Sequence, residues 1–312
     1  MAAGLTRALL LVRLVRPVNV VLIALTVPAL WSVFVQPLPV LHELDIGSAL
    51  LLGLALALVA AGGNVVNDIA DRTIDRLNER PNPLNAGLPV GWAWWAYLAT
   101  LIGAAAITVH LAHELTAWSR VLLLPLACAG LAAYAFRLKC VPLLGNLTVA
   151  TFCAGVPGIL FLAEPTLLGG YLDTVQTHSL LAYVVLAFAA TLGRELIKDL
   201  EDREGDRAAG CRPLAVTRPE GQVVWAARGS LYVSLAAVAY LATLWYIDGA
   251  LVPALSFAAL WLLMASVTAG LRDAQAKSVY SGVSQYLKLA IAFGLLLLIF
   301  AGSSVRVAGG SL

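Results

Sequence analysis

The stretch Asn64-Val-Val-Asn67-Asp68-Ile-Ala-Asp71-Arg72-Thr-Ile-Asp75-Arg76 continues directly from a long apolar segment, residues 47–70. We call residues 64–76 the first motif. If the apolar segment is a helix, one face about 60° wide carries four oxygen-bearing side chains, those of Asn64, Asp68, Asp71 and Asp75. The spacing therefore predicts a column of polar ligands at the end of an apolar helix.

The composition of the chain is typical of a membrane protein. Of its 312 residues, 61% are hydrophobic and only 12% are charged, and the mean hydropathy is +0.87. A bilayer span needs about 20 apolar residues, and it must be helical because no water is available to its backbone. Nine segments meet this requirement, at residues 17–36, 47–70, 90–112, 116–137, 142–163, 179–199, 222–246, 250–271 and 282–301. We predict an all-α, polytopic bundle of nine transmembrane helices that forms a single domain over residues 1–312.

The basic residues predict the orientation of this bundle in the cell membrane. With the N-terminus inside, all but Arg120 and Arg306 of the 20 Lys and Arg residues fall on the inner side. Cytoplasmic connections carry such an excess, so we predict a cytoplasmic N-terminus and cytoplasmic motifs. The basic first sixteen residues are interpreted as a retained topology signal. We expect the lipid bilayer, and no nucleic acid, as a partner.

The four cysteines follow no recognisable pattern. Their positions, Cys128, Cys140, Cys153 and Cys211, have neither pairing nor metal-like spacing. Their spacing therefore gives no information on redox or zinc chemistry, and we expect structural roles for them.

A second stretch resembles the first motif in its spacing. It reads Gly193-Arg194-Glu195-Leu-Ile-Lys198-Asp199-Leu-Glu201-Asp202-Arg203-Glu204-Gly205-Asp206-Arg207, and we call residues 193–207 the second motif. Its Asp199, Asp202 and Asp206 repeat the i, i+3, i+7 spacing of the acids in the first motif. Both motifs lie on the same predicted side of the membrane.

Two such columns favour a shared cation. A single acidic turn at a helix end is usually solvated or paired with a nearby Arg, but stacked carboxylates repel one another, and desolvation at the membrane boundary adds to this cost. Mg²⁺ commonly binds one or two carboxylates together with substrate phosphates. We therefore predict a Mg²⁺ site that holds a diphosphate. Its predicted metal ligands are Asn64, Asp68, Asp71, Asp75, Asp199, Asp202 and Asp206.

Polar and basic residues beside the two columns are candidate substrate ligands. They are Asn67, Arg72, Lys139, Arg194 and Lys198. Snorkelling to the interface is an alternative explanation for each basic residue. We predict catalytic roles for Asp71, Asp202 and Lys198, because breaking a carbon–oxygen bond to diphosphate requires stabilisation of the charge on the leaving group.

These features resemble the UbiA superfamily of intramembrane prenyltransferases. The resemblance rests on the nine predicted spans, both motifs, the Arg16-Pro17-x-Asn19 start of the first span, and the Leu138-Lys139-x-x-x-Leu-Leu-Gly145-Asn146 segment. It implies a bundle around a central cavity that binds an isoprenyl diphosphate through Mg²⁺ and opens laterally to lipid. Lys139 matches a basic residue expected at the diphosphate. By position, the residues that match the family's two motifs are Asn64, Asn67, Asp68, Asp71 and Asp75 in the first and Asp199, Asp202 and Asp206 in the second.

The sequence departs from the family pattern at one place after the first motif. The family commonly has Arg-Pro-x-x-x-Gly there, whereas this chain has Asn82-Pro83-Leu-Asn85-Ala-Gly87. Arg80, two residues earlier, is a candidate substitute for the missing Arg.

The second motif is most similar to the digeranylgeranylglyceryl phosphate synthase branch of the superfamily. This resemblance implies transfer of a geranylgeranyl group to the free hydroxyl of geranylgeranylglyceryl phosphate, a lipid phosphate. The first motif also resembles the branch with aromatic acceptors such as 4-hydroxybenzoate, so that acceptor stays open. A membrane transporter or cation channel is an alternative of another class, and it predicts acids near the bilayer midplane.

Overall fold

Both motifs lie at the ends of long helices. The structure is a computed structural model that describes residues 2–39, 41–271 and 277–309, and all regular elements of these residues are helical. In chain order they are α1 Ala2–Val15, α2 Pro17–Leu30, α3 Ile46–Ala70, α4 Arg72–Leu77, α5 Val90–Glu114, α6 Leu123–Phe136, α7 Leu144–Ala163, α8 Thr166–Gly169, α9 Val175–Ala208, α10 Leu214–Thr217, α11 Glu220–Ile247, α12 Leu251–Ala269 and α13 Lys277–Gly309. A π-helical turn, Trp31–Val35, extends α2, and 3-10 turns occupy Trp118–Leu122 and Leu138–Cys140.

The prediction of nine membrane-spanning helices is confirmed for the described part of the chain. Nine of its helical segments are long and apolar enough to cross a bilayer. Their bounds are Pro17–Val35, Ile46–Ala70, Val90–Glu114, Trp118–Phe136, Leu144–Ala163, Val175–Ala208, Glu220–Ile247, Leu251–Ala269 and Val279–Leu296.

The sixth span is longer than predicted, because its helix continues through the whole second motif to Ala208. Many of the polar residues of this motif, such as Glu, Lys and Arg, are good helix formers. Gly210, with φ of 78°, stops the helix. The N–H of Gly210 bonds the carbonyl of Arg207 at 3.1 Å and that of Cys211 bonds the carbonyl of Asp206 at 2.8 Å, which is a Schellman cap.

The N-terminal segment, predicted from its basic residues to be a topology signal, forms a packed helix. Leu10 and Leu14 of α1 are buried in a cluster with Val65, Leu84 and Leu88. This packing holds α1 against the helix that carries the first motif.

The chain divides into two compact units. The first consists of Met1–Leu25, Gly47–Thr148 and Asp202–Thr217, and the second of Thr26–Ile46, Val149–Glu201 and Arg218–Leu312. The interpretation of residues 1–312 as a single domain stays a prediction. The first unit contains the first motif, Lys139 and the end of the second motif.

Two of the cysteines are paired, although their spacing along the chain gave no sign of it. Cys140 and Cys211 form a disulfide within the first unit, with their Cα atoms 4.7 Å apart, although 71 positions separate them in sequence. Such a long separation gives no local spacing signal, so only the folded chain reveals the pair. Cys128 and Cys153 are unpaired.

The second unit contains a fully buried carboxylate, Glu164, directly after α7. It accepts hydrogen bonds from Trp31 Nε1 at 3.3 Å and from the backbone N–H groups of Glu43 and Leu44 at 3.0 and 2.9 Å. Its exposed fraction is 0%. Since buried polar groups need partners, this carboxylate joins the π-helical turn and the following loop to the end of α7.

Glu164→Ala should therefore lower the free energy of unfolding by about 3 kcal/mol, because three donors, two of them in buried hydrogen bonds, lose their acceptor. Thermal unfolding in detergent measures the effect. Glu114→Ala is the matched control, since the Glu114 side chain is 58% exposed. Equal melting temperatures for the two variants would contradict a structural role for Glu164.

Candidate metal and diphosphate site

The first motif is not one uninterrupted helix. α3 ends at Ala70, and Asp71 has φ of −87° and ψ of 0° before α4 begins at Arg72. This sparsely allowed backbone conformation is found in turns and at many active-site residues. Hydrogen bonds still cross the break, from the N–H of Asp71 to Asn67 O at 2.8 Å and from the N–H of Asp75 to Asp71 O at 2.7 Å. The predicted continuous column is thus interrupted at Asp71, where a short acidic side chain favours a helix end.

Two of the three acids of this motif are each paired with a basic side chain. Arg16 Nη2 donates to Asp68 Oδ1 at 2.7 Å, and the Asp68 side chain is only 7% exposed. Lys139 Nζ forms an ion pair with Asp71 Oδ1. Asp71 also accepts a hydrogen bond from Asn67 Nδ2 at 2.6 Å. The predicted residues Asp71, Asn67 and Lys139 therefore meet.

The third acid of the motif, Asp75, is bound by an amide. Asn82 Nδ2 donates to Asp75 Oδ2 at 2.7 Å and to the carbonyl of Asp68 at 2.8 Å, and Asn82 is buried. Asn82 occupies the position at which the family commonly has Arg. This chain uses a neutral amide there to close the loop back onto the first motif.

The loop after the first motif contacts the second motif within the first unit. Arg80 Nη2 forms an ion pair with Asp202 Oδ1 at 2.7 Å. Gly205 faces the same loop so closely that a Cβ atom on it would lie 1.9 Å from Asn78 Oδ1. The absence of a side chain at Gly205 is what permits this approach. The two predicted columns are therefore joined through Asn78 and Arg80.

Sequence reasoning missed two contributors to this arrangement. Arg16 and Asn82 were not among the predicted site residues, although both lie in segments that carried the family comparison. Arg16 is 52 positions from Asp68, and Asn82 lies in the loop after α4, so neither contact follows from helical periodicity.

The remaining predicted residues have other surroundings. Asn64 Nδ2 donates to the carbonyl of Val15 at 3.2 Å. The carbonyl of Arg72 accepts from Asn85 Nδ2 at 2.9 Å, and Arg72 Nε is buried without a hydrogen-bond partner. Arg194 pairs with the neighbouring Glu195 in the second unit. Two further predicted residues, Lys198 and Asp199, lie on α9 one turn before Asp202.

The donor set fits a hard divalent cation. Asp68, Asp71 and Asp75 belong to the same unit as Asp202 and Asp206. Asn67 Oδ1 is buried and has no hydrogen-bond partner, which makes it an available oxygen ligand. Carboxylate and amide oxygens together with phosphate are the ligands that Mg²⁺ prefers. Among the residues that the structure describes, no three acidic, His or Cys side chains form a ready-made metal cluster.

The sequence matches the UbiA prenyltransferase family over residues 25–290. The chain belongs to this family. It is therefore a membrane-embedded prenyltransferase, and the resemblance stated from the motifs is confirmed.

Several relatives of this UbiA-family chain have the same name. The digeranylgeranylglyceryl phosphate synthase of Methanopyrus kandleri is 34% identical over 265 residues, which cover 82% of this chain and 87% of that protein. The synthase of the same name from Methanoculleus marisnigri is 38% identical over 170 residues, and this match spans 53% of this chain and 55% of that protein.

Solved structures share the fold of this UbiA-family chain. A UbiA homolog from Aeropyrum pernix K1 has a TM-score of 0.64 at 19% identity, with 92% of this chain and 98% of that chain covered. A UbiA homolog from Archaeoglobus fulgidus, bound to GPP and Mg²⁺, has a TM-score of 0.57 at 17% identity, with 93% and 99% covered.

The close approach at Gly205 gives a test of the contact between the motifs. Gly205→Ala should lower prenyltransferase activity by about tenfold or more, because the new Cβ displaces Asn78 and with it the loop that carries Arg80. Helix propensity alone predicts no loss of activity, because replacing Gly by Ala inside a helix raises its stability by about 1 kcal/mol. Product formation in membranes, normalised to the amount of inserted protein, measures the effect.

Gly229→Ala is the matched control, because a Cβ at this helical glycine has no atom within 4 Å. Adding Asn78→Ala to Gly205→Ala should restore much of the activity, since it removes the colliding amide. Wild-type activity in the single variant would show that the two motifs do not pack as described.

Proposed function

We propose that this chain transfers a geranylgeranyl group from its diphosphate to the free hydroxyl of geranylgeranylglyceryl phosphate and so forms an ether lipid. The proposal draws support from the Methanopyrus kandleri relative, which is aligned over 82% of this chain. The second motif, with its Lys198-Asp199-x-Glu201-Asp202 sequence, favours the same branch.

The observation that carries the proposal is the contact between the two acidic motifs. The Arg80–Asp202 ion pair and the Lys139–Asp71 ion pair lie in one compact unit. An anionic donor needs cationic side chains for its phosphates and carboxylates for its accompanying metal. Both kinds of group are present where the motifs meet.

In this proposal Mg²⁺ is held by oxygens of both motifs. The proposed ligands are Asn64, Asp68, Asp71, Asp75, Asp199, Asp202 and Asp206. When bound, Mg²⁺ supplies Lewis-acid stabilisation of the negative charge that develops on the leaving diphosphate. The UbiA homolog from Archaeoglobus fulgidus with bound GPP and Mg²⁺ supports this choice of metal.

The basic side chains would act directly on the phosphates. Lys139 would donate to an oxygen of the donor diphosphate and so bind the donor through its phosphate charge. Arg194 and Lys198 are proposed to bind the phosphate of the acceptor. The acceptor hydroxyl then attacks the allylic carbon, and its proton passes to a motif carboxylate or to the released diphosphate.

We also propose that the N-terminus and the active site are cytoplasmic. The distribution of Lys and Arg supports this orientation, because only Arg120 and Arg306 of 20 basic residues oppose it. Protease protection of an N-terminal epitope in inside-out vesicles would contradict it.

Two alternative functions have less support. An aromatic acceptor such as 4-hydroxybenzoate is compatible with the first motif, but the relatives described above are named for a lipid-phosphate product, digeranylgeranylglyceryl phosphate. A transporter or channel would place acids near the middle of its helices. Asp68 instead lies in the last turn of α3, and Asp206 in the last turn of α9.

The acceptor is tested with purified protein, Mg²⁺ and geranylgeranyl diphosphate, offered a panel that includes geranylgeranylglyceryl phosphate and 4-hydroxybenzoate. Mass spectrometry should find the diether phosphate as the main product. A prenylated aromatic acid as the main product would overturn the proposed acceptor. Absence of every prenylated product would overturn the proposed reaction.

In the same assay, Asp71→Asn and Asp202→Asn should each lower the rate by about 100-fold or more, because a neutral amide binds a divalent cation more weakly and weakens the leaving-group stabilisation. EDTA should abolish transfer and added Mg²⁺ should restore it. Glu204→Gln is the matched control, since Glu204 is an exposed residue of the second motif. Full activity of both Asn variants would rule out the proposed site.

A further inference from the structure

A covalent bond joins the turn that carries Lys139 to the chain that follows the second motif. Cys140, directly after Lys139, is disulfide-bonded to Cys211, and their Cα atoms are 4.7 Å apart. The N–H of Arg212 also donates to the carbonyl of Cys140 at 3.3 Å. The two segments are thus joined by a covalent bond and by a backbone hydrogen bond.

Both ends of this crosslink are next to residues of the proposed site. On one side, Lys139 reaches Asp71 of the first motif. On the other, the N–H of Cys211 bonds the carbonyl of Asp206, the last acid of the second motif, at 2.8 Å. The disulfide therefore connects the backbone of a candidate phosphate ligand to the backbone of a candidate metal ligand.

The turn that the disulfide holds is short and closely packed. It is a 3-10 turn of three residues, Leu138–Cys140. Lys139 Cα would lie 2.7 Å from a Cβ atom on Gly145, so the start of α7 presses directly on this backbone. A lysine side chain loses considerable conformational freedom when it is fixed at a ligand, and a fixed backbone reduces that cost.

We propose that the Cys140–Cys211 disulfide is a positioning element for Lys139, and that opening it weakens binding of the diphosphate donor. This inference rests on the proposed function, because it assigns Lys139 to the donor diphosphate. The two cysteines do not touch the reacting atoms. They act by holding the backbone from which Lys139 extends.

The same bond makes the site responsive to a dithiol reductant. Attack by the dithiol breaks the Cys140–Cys211 bond, places two electrons and two protons on the two cysteine sulfurs, and leaves the reductant as a cyclic disulfide. The Lys139 turn then keeps only noncovalent connections to the segment after Asp206. Donor binding should weaken, while the chemical step in the bound complex should change little.

The first measurement is a thiol count on the full-length protein. Alkylation under denaturing conditions without reductant should modify only Cys128 and Cys153, two of the four cysteines, and reduction before alkylation should expose all four. Modification of all four cysteines before reduction would overturn the inference.

The second measurement separates positioning from a general structural role. Cys140→Ser, Cys211→Ser and the double variant should each raise the KM for geranylgeranyl diphosphate by about two- to tenfold, with kcat within about twofold of wild type. Treatment of the wild type with a dithiol should produce the same rise, and reoxidation should reverse it. If a Ser variant does not fold, the donor KM of the dithiol-treated wild type still tests the inference.

The Cys128→Ser/Cys153→Ser variant is the matched control and should keep the full response to the dithiol, whereas the Cys140→Ser/Cys211→Ser variant should show none. An active wild type whose donor KM is unchanged by the dithiol would overturn this inference and leave the proposed function intact. A fall in kcat at constant donor KM would also overturn it, because that result indicates a structural crosslink only. An untreated wild type without any prenylated product would instead overturn the proposed function.

Discussion

The arrangement of the first unit depends on compensating the repulsion among its carboxylates. Asp68, Asp71 and Asp75 follow one another at the end of an apolar helix, where water is scarce and like charges interact strongly. Three groups from other parts of the sequence offset this repulsion, namely Arg16, Lys139 and Asn82. Each brings its own segment with it, so charge compensation also determines where those segments lie.

The same requirement links the two motifs. Asp202 is paired with Arg80, which extends from the loop that closes the first motif, and Gly205 allows that loop to approach. Ion pairs of this kind are partly desolvated, and loss of one partner leaves a charge that the surroundings do not compensate. A diphosphate accompanied by a divalent cation provides both signs of charge. The cation can therefore replace a basic side chain beside a carboxylate, and the diphosphate can replace the carboxylate beside that basic side chain. No charge is then left without a partner when such a ligand binds.

The second unit shows the opposite use of a buried carboxylate. Glu164 has three hydrogen-bond donors and no exposure to solvent, and it joins segments around the end of α7. The donors described for Glu164 are neutral, whereas Asp68, Asp71 and Asp202 in the first unit each have a basic side chain as a partner. This difference in partners separates an acid that holds the fold from acids that suit ligand binding.

The sequence by itself determined the nine spans, the two motifs and the family. These properties follow from local constraints, because the bilayer dictates the length and polarity of each helix and the helical repeat dictates the spacing of acids on one face. Only the tertiary structure decided the break at Asp71 and the Cys140–Cys211 bond. It also decided that Arg16 pairs with Asp68 and that Arg80 pairs with Asp202. Arg16 and Asp68 are 52 positions apart, and the two cysteines are 71 apart. Periodicity carries no information over such distances, so these partners become evident only when the packed helices bring them together.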